Sequence, residues 1–296
     1  YQNKLRWYQP KIAVLNNIDY DHPDFFPTKE DYYQVFIDFI KKLTPTNLLV
    51  ANYDDTIIKE IVPTNCTAQI KSYGIANTGA DYMAVDIKYE AGQQHFTVMY
   101  QGKTWGQFTI KLLGQHNIYN ALAVIVASHY LGLTSQTIAQ HLAEFTGTER
   151  RLQQLGEFNG VPVLDDFAHH PTEIKATLTA VRQLYPKQKL VAVFHPHTFS
   201  RTKALFNNFL TSFNQVDELI VLDIYASARE NKHSVNSAEL VEKMRLLNEE
   251  CKVKHIPSLE EAEEYLRNNL QPGQVLLLIG AGNVFQIGYN LTNYDK

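Results

Sequence analysis

The densest grouping of chemically capable side chains is Asp165-Asp166-Phe167-Ala168-His169-His170-Pro171. Two carboxylates followed by two imidazoles suit metal hydrolysis, acid–base work or recognition of a polar substrate, and the residue types leave all three open. Adjacent histidines project differently from the chain, which weighs against His169 and His170 sharing one metal ion. Pro171-Thr172 opens a helix, so both imidazoles lie near a helix N-terminus, where carboxylate or phosphate is welcome. In His195-Pro196-His197-Thr198-Phe199-Ser200-Arg201, His197 and Arg201 flank the next helix start. They form either a cationic pocket for an amino-acid carboxylate or a solvated loop capped by Ser200.

Three further groupings carry a functional and a plain reading. In Asn17-Ile18-Asp19-Tyr20-Asp21-His22, His22 suits a divalent ion, or Asp21 and His22 form a local hydrogen bond or fix a tautomer. In Gly114-Gln115-His116-Asn117-Ile118-Tyr119-Asn120, the carboxamides of Asn117 and Asn120 offer a donor and an acceptor to a purine edge, or Asn117 is the helix cap and Asn120 is solvated. In Gly147-Thr148-Glu149-Arg150-Arg151, the arginines form a salt bridge or a solvated face, or a guanidinium clamps a phosphoryl group. Gly280-Ala281-Gly282 looks like half a dinucleotide fingerprint. It follows the last strand with no βαβ unit after it, which excludes an NAD reading.

The elements that position these residues fall into two halves, divided near Gly147-Thr148. In the first, 11–16 and 47–51 read as strands, and Thr28 with Asp31 begins a helix whose apolar residues are Tyr32, Phe36, Phe39, Ile40 and Leu43. Alternation from Thr67 to Leu113, broken at Gly74, Gly79, Gly92 and Gly102, reads as three or four antiparallel strands, and helices follow at 117–131 and 135–145. In the second half, Asn159-Gly160 marks a hairpin between 154–158 and 161–164. Strands at 163–165, 189–194, 218–222, 252–256 and 274–279 then alternate with helices at 172–184, 201–213, 237–248 and 258–269. That order specifies a parallel sheet with right-handed crossovers, whose ligands bind outside the carboxyl ends of the strands. The polar loops at 165–171, 195–201, 223–230 and 280–283 all fall at those ends.

Composition narrows the class of function. The chain has 296 residues, enough for about two domains. A net charge of −4 gives no reason to expect nucleic acid or an anionic membrane as a partner. The two cysteines, Cys66 and Cys251, have no zinc-like spacing and read as free thiols of a reducing compartment. Apolar runs such as 275–282 fall far short of the roughly 20 residues that span a bilayer. A cytoplasmic location is expected. The chain opens at Tyr1 and runs almost at once into a strand, which reads as a chain lacking its beginning.

Taken in order, NNIDYDH (16–22), GQHNIYNA (114–121), GTERRL (147–152), DDFAHHPTEI (165–174) and PHTFSRT (196–202) resemble the motifs of the Mur ligase family over nearly the whole chain. The last two look most like the branch that adds alanine to the muramoyl sugar. The resemblance implies an α/β chain. Residues 1–147 would be the remainder of a P-loop-type central ATPase domain with an antiparallel strand section. Residues 148–296 would form a Rossmann-like, doubly wound C-terminal domain. The implied reaction uses ATP and Mg²⁺: the carboxylate of UDP-N-acetylmuramate is phosphorylated, and the amino group of L-alanine attacks the acyl phosphate to give an amide. Positioning and charge neutralisation would dominate catalysis.

Carried over position by position, His22 resembles a Mg²⁺ ligand. His116, Asn117 and Asn120 resemble the nucleotide contacts, His116 and Asn120 those to adenine. Arg151 resembles the arginine that reaches the ATP phosphates and Asp166 the ribose-binding carboxylate. Phe167, His169, His197 and Arg201 match positions around the incoming alanine, with Arg151 and His169 closest to the chemistry. The His22 turn and the strand-tip loops are expected to face a shared cleft. Phe167 and Thr198 stand where other members carry Tyr and Arg, which leaves the details of the amino-acid pocket open.

The family's GxxGKT-type phosphate loop has no counterpart in these residues. Gly102-Lys103-Thr104 lacks the glycine-rich lead and follows a β pattern. Without that loop, phosphoryl transfer is expected to be severely impaired, and this polypeptide alone is expected to be inactive. The competing readings are a peptide-recycling muramate ligase, a folylpolyglutamate-type relative, a catalytically silent nucleotide or amino-acid binder, and a His-rich metal hydrolase. The sequence leaves the oligomeric state open.

Overall fold

The run Ile-Ala-Val-Leu at Ile12–Leu15 forms β1, and the fully buried Leu48–Asn52 forms β2 beside it in parallel. The computed structural model describes residues 3–226, 235–248 and 250–294. The chain divides into two units, 1–146 and 147–296.

In the first unit, α1 (Lys29–Lys41) starts where Thr28 accepts the Asp31 N–H, and α2 (Thr56–Asn65) starts where Asp55 caps Ile58. The sheet continues through β3 (Gln69–Gly74), β4 (Tyr82–Glu90), β5 (Gln93–Tyr100) and β6 (Lys103–Ile110), in the order β1-β2-β3-β4-β5-β6. Only β4, β5 and β6 pair antiparallel, whereas β3 runs parallel to both β2 and β4. The three antiparallel strands meet the expectation for 67–113; the parallel β3 does not follow from alternation, which reports the face of a side chain and not the direction of its strand.

Helices α3 (Gln115–Tyr130) and α4 (Ser135–Glu144) bury Ile118, Leu122, Ile125 and Ile138 against Leu48, Val50, Tyr73 and Val98. On the opposite face, Phe39 and Ile40 of α1 and Ile58, Ile61 and Val62 of α2 cover Ala13, Leu15, Leu49 and Ala51. Each fully buried aliphatic side chain contributes about 1.5–3 kcal/mol.

The second unit opens with the hairpin β7 (Gln153–Phe158) and β8 (Val161–Asp166). Asn159 and Gly160 both take the left-handed conformation that a two-residue type I′ turn demands. There follow α5 (Pro171–Leu184), β9 (Lys189–Phe194), α6 (Phe199–Ala204), α7 (Phe206–Leu210), β10 (Glu218–Val221), α8 (Ser237–Leu247), β11 (Lys252–His255), α9 (Leu259–Asn269), β12 (Gln274–Ile279) and α10 (Phe285–Thr292). The single helix expected over 201–213 is two short ones, interrupted at Leu205, whose φ of −107° leaves the helical range.

The sheet order is β11-β10-β9-β12-β8-β7, parallel except for the β7 edge. Helices α5, α7 and α8 pack on one face through Ile174, Leu178, Phe209, Leu240 and Met244. Helices α9 and α10 pack on the other through Ala262, Leu266, Ile287 and Leu291. The chain leaves β9 toward the first face and neighbouring β12 toward the second. Adjacent strands diverging in this way open a crevice at their carboxyl ends, the usual ligand position in such sheets. Among the described residues no helix is long and apolar enough to cross a membrane.

Candidate functional site

The crevice of the second unit is built from the tips of β8, β9 and β12. Asp165 and Asp166 end β8 on opposite faces, since successive strand residues alternate. Asp165 is fully buried, and its Oδ2 accepts from Arg150 Nε at 3.0 Å. Burial pushes the Asp165 carboxyl up to about 6, against the opposing pull of Arg150. Arg150 also donates to the Gly280 carbonyl at 2.6 Å, and its guanidinium lies 4.9 Å from the Phe167 ring centroid and 4.5 Å from that of Phe285. Of the paired arginines, Arg150 therefore forms the structural ion pair, while Arg151 is exposed with its guanidinium 5.6 Å from the Phe167 ring.

Asp166 accepts the Leu152 N–H at 2.7 Å, the Ala168 N–H at 2.8 Å and the Thr177 hydroxyl at 3.2 Å. It is 5% exposed, and burial raises its pKa despite these donors. The carboxylate expected at a ribose is thus turned into the fold, where it ties the turn at 150–152 to α5. Arg150 and Leu152 both have positive φ in that turn, and so does Thr198 in the neighbouring loop. Strain of this kind, about 1–3 kcal/mol per residue, persists only where surrounding bonds fix it.

His169 and His170 separate as the sequence suggests. His170 is the N-cap of α5, accepting the Thr172 N–H, while the Glu173 side chain accepts the backbone N–H groups of His169 and His170. His169 Nδ1 lies 3.0 Å from the Phe167 carbonyl. A carbonyl only accepts, so Nδ1 carries the proton and the lone pair of the neutral ring is on Nε2.

The His197 ring lies 6.1 Å from that of His169, centroid to centroid. Arg201 Nη1 donates to His197 Nδ1 and to the His197 carbonyl, both at 3.2 Å, which gives His197 the opposite tautomer. Arg201 is 3% exposed. Thr198, not Ser200, caps α6, accepting from the Arg201 N–H at 3.4 Å. Tyr225 stacks on His197 at 5.7 Å and 15°. The strand tips thus bring together Phe167, His169, His197 and Arg201, with Arg151 beside Phe167. Of the third loop, 223–230, residues 227–230 lie outside the described residues.

Sequence reasoning passed over Arg150, Glu173, Tyr225 and His195 as site residues. His195 is 7% exposed, and its Nδ1 has no hydrogen-bond partner among the described residues. Burial, with His197 nearby, pushes its imidazole down to about 4. A Cβ on Gly280, φ +151°, would come within 2.7 Å of the His195 carbonyl oxygen. That close approach and the positive φ account for glycine at position 280.

In the first unit, His22 has φ 58°, its backbone N–H donates to Asp21 Oδ1 at 2.7 Å, and its Nε2 lies 3.7 Å from Asp21 Oδ2. Among the described residues no group of three or more His, Cys, Asp or Glu side chains could hold a metal ion. His22 and Asp21 are therefore not part of a protein donor set of three or more among those residues. Helix α3 is capped by Gly114, φ 85°, with no side-chain bond, and not by Asn117. Asn117 instead donates to the Leu113 carbonyl at 2.7 Å and to His116 Nε2 at 3.1 Å. Asn120 donates to Asn117 Oδ1 at 3.2 Å and accepts from Asn16 Nδ2 at 2.7 Å. His116 and Asn120 are exposed on this rim.

Residues 1–128 match the Mur ligase middle domain, and residues 150–282 match the domain described as Mur ligase, glutamate ligase domain. The chain is 37% identical over 297 residues to UDP-N-acetylmuramate–L-alanine ligase of Caldanaerobacter subterraneus subsp. tengcongensis, covering 100% of this chain and 64% of that protein. It is 39% identical over 289 residues to the ligase of the same name from Clostridium kluyveri, covering 97% of this chain and 62% of that protein. It therefore spans less than two thirds of the length of these relatives. The crystal structure of UDP-N-acetylmuramate–alanine ligase from Thermotoga maritima has the same fold, with a TM-score of 0.78 at 22% identity over 98% of this chain and 60% of that one. With both domain matches in order along it, this chain belongs to the Mur ligase family and carries that family's middle and C-terminal domains.

Proposed function

We propose that the chain is the catalytic portion of a cytoplasmic, ATP-dependent ligase that joins L-alanine to UDP-N-acetylmuramate, with the strand-tip cluster of the second unit receiving the amino acid. The observation that carries this reading is the juxtaposition of His169, His197 and Arg201. Arg201 and His197 supply positive charge and an N–H for a carboxylate, and the His169 Nε2 lone pair suits the proton that an attacking ammonium must shed. Phe167 and Tyr225 add apolar walls that suit a methyl side chain. Likeness to two alanine-adding ligases over almost the whole chain supports the same substrate.

On this reading Arg151, exposed at the start of the second unit, reaches the transferring phosphoryl group. His22 of the first unit supplies one ligand to the Mg²⁺ that accompanies ATP, and His116, Asn117 and Asn120 form the nucleotide rim, with His116 and Asn120 meeting adenine. Asp166 serves by holding the Arg151 turn. The 296 residues contain no Gly-x-x-x-x-Gly-Lys-Ser/Thr run, so the polypeptide by itself lacks the backbone cradle for a triphosphate.

The test is phosphate release with ATP, UDP-N-acetylmuramate and L-alanine by two proteins. One is the 296-residue polypeptide. The other is a chimera in which it replaces the matching segment of the Caldanaerobacter ligase. Turnover by the chimera alone is expected. Turnover by the isolated polypeptide would refute the need for a phosphate loop, and a folded but silent chimera would refute the ligase assignment.

A further inference from the structure

The carboxamides on the rim of the first unit form a chain of hydrogen bonds with one direction. Leu113 offers a carbonyl, which can only accept, so the atom of Asn117 facing it is Nδ2 and the Asn117 oxygen faces Asn120. Asn120 must then present Nδ2 to Asn117 and Oδ1 to Asn16. Asn16 must present Nδ2 to Asn120 and Oδ1 to the Tyr73 hydroxyl, which donates to it. The bonds found are the ones this order requires. The chain runs from the fully buried Tyr73 to the Leu113 backbone carbonyl, and the Asn16 backbone carbonyl accepts from Asn52 Nδ2 at 2.9 Å.

Asn117 spends both amide hydrogens, on Leu113 and on His116 Nε2. Exposed Asn120 makes one bond with each of its polar atoms, which leaves its amide a second hydrogen and a second lone pair. A carboxamide with one N–H and one lone pair on offer matches the N7 acceptor and 6-amino donor of adenine, whereas a 6-oxo purine meets the same oxygen with another acceptor.

We infer that Asn16 is a positioning residue that sets the orientation of the Asn120 carboxamide and thereby makes the rim select 6-amino over 6-oxo purines. This rests on the nucleotide reading of the rim given above. Asn16 acts as a donor to Asn120 and an acceptor from Tyr73, a dual role that a threonine hydroxyl can also fill and a valine of similar shape cannot.

The experiment measures ATP and ITP binding to the chimera described above, carrying the wild-type or substituted 296-residue segment, by isothermal titration calorimetry. The wild type is expected to prefer ATP by about tenfold or more, the scale of one bidentate base contact. Asn16→Thr is expected to keep that ratio, and Asn16→Val to bring it to within about twofold of unity at an unchanged melting temperature. Should Asn16→Val melt early, Tyr73→Phe, which removes the donor at the far end, must lower the ratio. A folded Asn16→Val with the wild-type ratio, or loss of preference in Asn16→Thr and Asn16→Val alike, overturns the positioning role while leaving the nucleotide reading intact. A wild type that binds neither nucleotide overturns both.

Discussion

The Arg150 guanidinium donates to the Asp165 carboxylate at 3.0 Å in a site where Asp165 has no solvent exposure, and the carboxyl is nevertheless raised to about 6. The cost of removing the anion from water outweighs the attraction of its partner. An unfolded Asp titrates near about 3.9. Between about 4 and 6 the folded chain therefore binds more protons than the unfolded one, and this group lowers stability as pH rises through that window. Removing Arg150 takes away the pull that opposes burial and moves the upper edge of the window higher. Arg150→Met is expected to cost about 3–5 kcal/mol at pH 8 and clearly less at pH 5, where Asp165 is protonated. Denaturant melts at the two pH values check this, and an equal loss at both would contradict it.

His195 has the opposite sign. Its imidazole is held down to about 4 by burial, whereas an unfolded histidine titrates near about 6.5. The unfolded chain takes up the proton first. Stability is then fully present above about 6.5 and drains away as pH falls toward 4, by on the order of 3 kcal/mol. His195→Gln keeps a polar side chain of related size without the titration. Its stability should fall less between pH 7 and pH 4.5 than that of the wild type. Parallel acid-side stability curves would show that His195 is not the buried titrating group described here.

Arg201 and His197 yield a prediction about substrate. In the chimera, Arg201→Ala removes both the guanidinium and the donor to His197 Nδ1. A charged hydrogen-bond partner of a carboxylate contributes about 1.5–3 kcal/mol, so kcat/KM for L-alanine should fall by roughly 10- to 150-fold. The KM for ATP should change little. Steady-state kinetics with each substrate varied in turn distinguish this from a general loss of folding, which would leave both KM values as they are.

Much of the fold is written locally. Thr28 with Asp31, Asn159-Gly160 and Pro171 each announce an element boundary through a backbone requirement, and the structure meets all three. What the residues leave silent is set by tertiary contacts. The direction of β3 is fixed by pairing with β2 and β4. Helix α2, unassigned in the sequence analysis, contains Pro63, whose missing N–H disfavours a helix interior, and Ile58, Ile61 and Val62 are buried along it. The grouping of Phe167, His169, His197 and Arg201 is anticipated because strand tips gather such loops. The division of labour within it is not. Asp165 and Asp166 look interchangeable in sequence, but strand alternation sends one to Arg150 and the other to Leu152, Ala168 and Thr177. Arg150 and Arg151 likewise differ only by which side of the turn they leave.

The most direct measurement is incorporation of radiolabelled amine into the UDP-muramoyl product by the folded chimera, with L-alanine and a tripeptide bearing a free N-terminal amine supplied separately with ATP and UDP-N-acetylmuramate. The expected result is ATP-dependent product with L-alanine and little or none with the tripeptide. Product with the tripeptide alone, or none with either, would contradict the assignment of the strand-tip cluster as an alanine site.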